Sequence, residues 1–211
     1  GLYVILDGKR NDIGATSEAY ATAYLGRTAV YENDIFSPAF GADSLTVNGY
    51  LGSDGILPFL RNCKEHQKSI FVLVKTSNSS SGELQDLRLE NGQTVFEKMA
   101  LLVDKWGKES VGKSGYTDVG AVVGATYPEE AKKLREQLPH TYFLVPGYGA
   151  QGGKAKDVAH SFNQDGLGAI VNSSRGIMCA YQKGNYQEEE YAVAARNEAI
   201  RMRDEIVSFI K

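Results

Sequence analysis

The sequence predicts an α/β fold of the (β/α)8, or TIM, barrel type, in which parallel strands alternate with helices. Apolar, β-branched runs recur along the chain with helical stretches between them. This alternation implies parallel pairing, because parallel neighbours need a crossover connection. Several runs also end in polar or glycine-rich loops, and chemistry at the C-terminal ends of strands is typical of this barrel.

Six apolar runs are candidate strands, namely residues 2–6, Ser44–Val47, 70–74, Val119–Val123, 142–145 and Ala169–Val171. Four stretches between them suit helices, namely residues 17–25, 55–64, 94–106 and Pro128–Gln137. The last of these has a typical helix start, with Thr126 as the capping residue, an early proline and two acids near the positive end of the dipole. Asp54 is likewise interpreted as a helix cap and Asp86 as a loop residue.

The C-terminal segment, residues 188–210, predicts an amphipathic helix packed on the domain. Steps of four and three residues place five apolar side chains on one face: Ala195, Ala199, Met202, Ile206 and Phe209. The other face is charged.

Six βα units are recognisable, whereas a complete barrel of this kind has eight and runs to about 250 residues. The chain has 211 residues and opens directly in a candidate strand. It predicts either an open six-stranded sheet or a barrel without its two upstream units. We favour the second alternative and expect residues 1–211 to form one barrel domain, incomplete at its N-terminus and not divided by a linker.

The composition excludes several classes of protein. The formal net charge of −3 provides no basic field that would gather nucleic acid. No signal peptide and no apolar stretch near the roughly 20 residues of a membrane span is present, so we expect a cytoplasmic protein without a membrane partner. No metal site is expected either, because the cysteines and histidines match no ligand spacing: Cys63, Cys179, His66, His140 and His160.

The most informative motif follows the first apolar run and contains Asp7, Lys9 and Asp12. Asp7 and Lys9 are two residues apart and should point to the same side of the strand, with Asp12 in the following loop. An ammonium between two carboxylates creates strong local fields and shifted pKa values, which is typical of catalytic sites. The alternative is an ion pair that only ties down a loop.

Taken with its other loops, the chain resembles the orotidine 5′-phosphate decarboxylase family, specifically its longer bacterial branch (type 2). Asp7-Gly-Lys-Arg-Asn-Asp-Ile13 fits the family's Asp-x-Lys-x-x-Asp signature, which related sugar-phosphate decarboxylases and synthases share. The order of all five motifs is far more specific. The other four are Val74-Lys-Thr-Ser-Asn78, Val123-Gly-Ala-Thr126, Pro146-Gly-Tyr-Gly-Ala-Gln-Gly-Gly153 and Asn172-Ser-Ser-Arg-Gly176.

By this resemblance, residues 2–6 correspond to the family's third strand. The family's first two strands supply an aspartate that holds the ribose and a lysine that joins the charged set. Neither strand has a counterpart here, which agrees with the expectation of a chain that lacks two units.

The resemblance implies decarboxylation of orotidine 5′-phosphate to UMP in pyrimidine biosynthesis, without a metal or cofactor. Lys9 would stabilise the charge that develops at C6 of the pyrimidine and then protonate that carbon. Asp7 would lie near the departing carboxylate, and Asp12 would keep Lys9 charged and oriented. In the family the equivalents of Asp12, Ile13 and Thr16 come from the partner subunit, so we expect a homodimer with composite active sites.

The remaining candidates bind substrate. Gln151, Ser174 and Arg175 fall in the loops after the family's seventh and eighth strands, a frequent phosphate site in such barrels. Ser77 matches the position that hydrogen-bonds the pyrimidine, and Asn48 follows a strand as a further candidate contact. Each role has a structural alternative: a helix cap or ion pair for Arg175, an exposed loop amide for Gln151, and a turn-forming serine for Ser77.

Two other functions stay open at this point. A metal-dependent sugar-phosphate lyase of the same superfamily would place another acid at an adjoining strand end, where this chain has Asn48 and Lys75. A non-catalytic nucleotide-phosphate binding fragment would keep the phosphate loops without the full site.

Overall fold

The structure, a computed structural model, describes residues 1–29, 36–149 and 151–210. In chain order the strands are β1 (Ile5–Arg10), β2 (Thr28–Ala29), β3 (Phe36–Ser37), β4 (Ser44–Val47), β5 (Ser69–Lys75), β6 (Val119–Val123), β7 (Phe143–Val145) and β8 (Ala169–Val171). The helices are α1 (Gly14–Leu25), α2 (Ser53–His66), α3 (Gly82–Gln85), α4 (Val95–Gly107), α5 (Pro128–Gln137), α6 (Ala155–Val158), α7 (Ser174–Met178) and α8 (Tyr191–Val207).

Six of these strands form one parallel sheet in the order β1-β4-β5-β6-β7-β8, and β2 and β3 form a short antiparallel pair. Helices connect the parallel strands, as crossover connections require. The predicted α/β alternation is therefore confirmed. In the part of the chain that the structure describes, the sheet is open, with β1 and β8 at its two edges.

The two faces of the sheet carry different apolar clusters. The larger cluster packs the sheet against the helices and includes Val72 and Val123. A smaller cluster on the other face contains the buried side chains of Phe71, Val122 and Leu144. Neighbouring residues such as Phe71 and Val72 thus lie on opposite faces, as strand geometry dictates.

Two strands are irregular near their C-terminal ends. The pairing register shifts between Leu6 and Arg10 in β1 and between Leu73 and Lys75 in β5. Such bulges are common next to functional sites, because they redirect a side chain. Both irregular segments contain a lysine of interest, Lys9 in β1 and Lys75 in β5.

The predicted face of the C-terminal helix is partly wrong. Met202 and Ile206 are buried in α8 as expected, but Ala199 and Phe209 are exposed and Ala194 is buried instead. The buried positions are separated by multiples of four residues, whereas the predicted face mixed steps of three and four.

Among the described residues, no helix is long and apolar enough to span a membrane.

Two predicted helix caps are also wrong. Tyr127 precedes α5 without a capping side chain, and the Thr126 hydroxyl donates instead to the Ser77 carbonyl at 3.2 Å. Gly52 precedes α2, so Asp54 lies within the first turn rather than at the cap. Thr126 therefore links the loop after β6 to the loop after β5 and does not cap its own helix.

Candidate functional site

Asp7 and Lys9 lie within β1 rather than beyond its tip, so the predicted end of this strand is wrong, and Asp12 follows the strand. The Lys9 N–H donates to the Thr46 hydroxyl at 3.0 Å, in place of a backbone partner. The Asn48 N–H then donates to the Arg10 carbonyl at 2.9 Å, so pairing between the two strands resumes after the motif. A side chain on β4 thus allows β1 to continue through its bulge.

Lys9 has a left-handed backbone, with φ +47°. This conformation costs about 1–2 kcal/mol for a residue that carries a Cβ. The regular alternation that predicted Asp7 and Lys9 on one side does not apply across a bulge. The two side chains nevertheless meet, with Lys9 Nζ 2.5 Å from Asp7 Oδ1.

The Asp7 carboxylate is held in its charged form. Partial burial alone would raise its pKa, but hydrogen bonds from Lys9 and from Thr46 (2.9 Å) and the charge of Lys9 outweigh burial, so the pKa of Asp7 is lowered. The Asp7 and Lys9 side chains are 66% and 51% exposed. Because both belong to one strand, their ion pair ties no separate loop to the sheet.

Asp12 does not join Lys9 within one chain. Its Oδ1 accepts the N–H of Ile13 at 2.8 Å, and Ile13 precedes the first turn of α1. Asp12 makes no ion pair with any described residue. Ile13 and Thr16 are exposed, so this end of α1 presents three predicted site residues at the surface.

Ser77 and Gln151 lie together across a glycine. Gly147 follows β7 with φ +95°, and a Cβ added there would lie 3.0 Å from both Gln151 Oε1 and Ser77 Cβ. A side chain at this position would therefore be strained, and it would push the loop after β5 away from the loop after β7. The predicted base contact and one predicted phosphate contact therefore both lie next to Gly147.

Ser174 and Arg175 begin α7 directly after the loop that follows β8, and both are exposed. The adjacent Ser173 is buried, and its hydroxyl donates to the Tyr148 carbonyl at 3.1 Å, which ties this loop to the loop after β7. Arg175 has no carboxylate within ion-pair distance among the residues that the structure describes. Its guanidinium can thus reach an external anion.

Asn48 follows β4 and is partly buried. Its Oδ1 accepts the N–H of Tyr50 at 3.0 Å, an arrangement that fixes the side chain by a local turn. The amide nitrogen is the group that can donate to a ligand. The parallel strands carry Asn48, Lys9, Ser77 and Arg175 to the same end of the sheet.

Sequence reasoning missed one ion pair at this end. Lys75 at the end of β5 is fully buried, and its Nζ lies 2.6 Å from Oδ1 of Asp86. The available signal was a lysine that directly ends a buried apolar run. Asp86, interpreted from sequence as a loop residue, is its partner.

Other polar clusters do not coincide with this site. Over the described ranges, no group of three or more His, Cys, Asp or Glu side chains could hold a metal ion. A pocket of about 890 Å³ opens between α2 and α4, beside Cys63, Trp106 and Asp118. It contains none of the predicted site residues, and it lies among the helices rather than at the carboxyl ends of the strands.

Comparisons with known proteins agree with the resemblance seen in the sequence. The family model described as "Orotidine 5'-phosphate decarboxylase / HUMPS family" matches residues 1–189. The orotidine 5′-phosphate decarboxylase of Caldicellulosiruptor bescii is 50% identical over 190 residues, which cover 90% of this chain and 61% of that protein. The corresponding protein of Rhodopirellula baltica is 51% identical over 195 residues, covering 92% and 61%.

The solved structure of Leishmania donovani OMP decarboxylase is also similar. It is 31% identical, with a TM-score of 0.71 over 97% of this chain and 69% of that one. This likeness confirms the predicted fold class, a parallel barrel sheet of which the described residues form six strands. The chain spans about 61% of the length of the two curated relatives above.

Proposed function

The chain belongs to the orotidine 5′-phosphate decarboxylase / HUMPS family, and from that premise we propose that it takes part in the decarboxylation of orotidine 5′-phosphate to UMP. The observation that carries this proposal is the exposed Asp7–Lys9 ion pair at the carboxyl end of the sheet. Ser77 and Gln151 lie in loops at the same end of the sheet, and Arg175 lies in the first turn of α7. Residues 1–211 belong, on this proposal, to one barrel domain.

Lys9 supplies charge and a proton. When the bond between C6 and the carboxyl group breaks, its electron pair stays on C6, and CO2 leaves. The Lys9 ammonium lies beside this negative charge and stabilises it. One N–H proton then passes to C6, and the neutral amine regains a proton from solvent.

Asp7 orients Lys9 and acts on the substrate's carboxylate. The lowered pKa of Asp7 keeps it ionised at neutral pH. An ionised Asp7 beside the substrate carboxylate disfavours the bound substrate, and this repulsion falls as neutral CO2 departs. Preorganisation is provided by Thr46, which donates to the same Asp7 oxygen that Lys9 contacts.

The other loops bind the parts of the nucleotide that do not react. Arg175, with Ser174 and Gln151, binds the 5′-phosphate, and Ser77 and Asn48 contact the base and its surroundings. Arg is suited to a phosphate because it can donate two parallel hydrogen bonds. Binding energy from the phosphate offsets the unfavourable placement of two carboxylates together.

The site is completed by a second copy of the chain. Asp12 does not reach Lys9 in its own chain, and it lies beside the exposed Ile13 and Thr16. In a homodimer this end of α1 would reach the partner's site, where Asp12 would contact the partner's Lys9 ammonium. Such an arrangement gives each lysine two carboxylates from two chains.

The test is an assay of the full chain for release of CO2 from orotidine 5′-phosphate. Lys9→Ala should lower turnover by about 10³-fold or more, because both charge stabilisation and proton transfer are lost. Its melting temperature should hardly change, since the ion pair is exposed. Lys68→Ala is the matched control, because Lys68 pairs with Asp43 at the opposite end of the sheet.

Three results would contradict the proposal. Near wild-type turnover by Lys9→Ala would remove the assigned mechanism. Wild-type turnover that disappears on chelation would favour a metal-dependent lyase. Binding of UMP without any turnover would favour a nucleotide-phosphate binding protein.

A further inference from the structure

Lys75 is a buried cation that the proposed mechanism does not use. Its side chain is fully buried, and an uncompensated buried ammonium is unfavourable by several kcal/mol. Compensation comes from Asp86 Oδ1 at 2.6 Å and Ser81 Oγ at 3.4 Å. The Nζ also lies 4.1 Å from the ring centroid of Tyr127 and 5.5 Å from that of Phe96.

The bulge in β5 gives Lys75 this position. Phe71 and Leu73 lie on the face of the sheet that carries the smaller apolar cluster. Strict alternation would place Lys75 on that face too. The register shift after Leu73 turns Lys75 instead towards Phe96 of α4 and Tyr127 before α5.

Asp86, the partner of Lys75, holds the C-terminal end of residues 76–86 against the end of β5. Near Asp86, the Gln85 side chain accepts the Thr76 N–H at 2.9 Å and donates to the Thr76 hydroxyl at 2.8 Å. The Thr76 hydroxyl in turn donates to Asn78 Oδ1 at 2.7 Å. Thr76 and Asn78, the two chain neighbours of Ser77, are therefore each held by a hydrogen bond within this segment.

We propose that Lys75, through Asp86, is a positioning residue that fixes Ser77 where it contacts the pyrimidine base. The inference rests on the proposed function, in which Ser77 is the base contact. Lys75 has no exposed surface, so a ligand in the site cannot contact it directly. It acts by ending the strand and closing the segment that presents Ser77.

A purely structural role predicts a different pattern. Loosening of the whole fold would weaken every ligand of the site in proportion. Loss of positioning at Ser77 would weaken only ligands that carry a base. Ribose 5-phosphate and UMP share the sugar and phosphate and differ in the base, so their affinities separate the two roles.

The experiment measures Kd for UMP and for ribose 5-phosphate by calorimetry on the full chain. Lys75→Met keeps the apolar stem and removes the charge. It should weaken UMP binding about tenfold, the size of one well-placed hydrogen bond, and leave ribose 5-phosphate unchanged. In a Ser77→Ala background, Lys75→Met should weaken UMP binding no further, because the contact that it positions is already gone.

Two further variants complete the test. Asp86→Asn should reproduce the selective loss of UMP affinity and stands in if Lys75→Met does not fold, since Asp86 is half exposed. Lys68 lies just before β5, at the end of the strand opposite Lys75. Lys68→Met breaks its ion pair with Asp43 and should change neither affinity. A matching loss with Lys68→Met would overturn the inference.

Equal losses for both ligands, or additive effects of Lys75→Met and Ser77→Ala, would also overturn it. If the wild type bound no UMP and released no CO2, the proposed function would fail and the inference with it. If the wild type bound UMP and turned over substrate while Lys75→Met and Asp86→Asn kept the wild-type ratio of affinities, only the inference would fail.

Discussion

Two lysine–aspartate pairs stand at the carboxyl ends of β1 and β5, and their surroundings are opposite. Lys9 and Asp7 are separated by 2.5 Å and Lys75 and Asp86 by 2.6 Å, and both pairs involve a bulged strand. Lys9 is 51% exposed and Lys75 fully buried. On our two proposals, the exposed pair acts on the substrate and the buried pair holds the segment that carries Ser77.

The largest expected difference between the pairs is in stability. Asp86→Ala leaves a buried ammonium without its carboxylate and should lower the free energy of unfolding by about 2 kcal/mol, less than for a fully buried pair because Asp86 is half exposed. Asp7→Ala should change it by about 0.5 kcal/mol or less, because that pair is exposed. Urea unfolding of the full chain measures both.

A double variant sharpens this test. Adding Lys75→Met to Asp86→Ala removes the unpaired charge and should restore part of the lost stability. Equal destabilisation by Asp7→Ala and Asp86→Ala would show that burial does not separate the two pairs.

The two lysines also differ in backbone strain, which predicts a smaller effect. Lys9 has φ +47° and Lys75 lies outside the left-handed region. Lys9→Gly should therefore be more stable than Lys9→Ala by about 0.5–1 kcal/mol, because relief of strain exceeds the entropy lost by glycine. At position 75 the order should reverse by a similar amount, about 0.5–1 kcal/mol in favour of alanine.

Melting curves of these four variants give the comparison, since each pair of variants lacks the same ammonium. If the glycine variant melted at a lower temperature than the alanine variant at both positions, the left-handed backbone of Lys9 would store no strain. Activity is not needed for this measurement.

The strands were predictable where local pattern alone decides them. Ser44–Val47 and Val119–Val123 were predicted with both bounds correct, because each is a short apolar run between turn-forming residues. The end of β1 was not, because it depends on the Thr46 hydroxyl, a partner 37 residues away from Lys9. A bulge that a distant side chain supports leaves no local signal.

The same reason limits prediction of the site. Parallel strands dictate which loops share an edge, so Lys9, Ser77 and Arg175 could be assigned to one end of the sheet from sequence. The approach of Ser77 and Gln151 to Gly147 depends on tertiary packing. The buried surroundings of Lys75 include Asp86 and Tyr127, which lie in other segments of the chain.

The smallest expected effect is the pH dependence of the exposed pair. The pKa of Asp7 is lowered in the folded state, so its stabilisation is present above the unfolded pKa, near 4, and is lost as the pH falls through the folded pKa. The difference in unfolding free energy between wild type and Asp7→Asn should be a few tenths of a kcal/mol at about pH 7, since solvent screens the pair, and should vanish once the pH has fallen through the folded pKa. Urea unfolding at several pH values measures it. A loss above about 1 kcal/mol would mean that Asp7 and Lys9 are shielded from water much as Lys75 is, and the contrast between an open pair and a buried one would no longer hold.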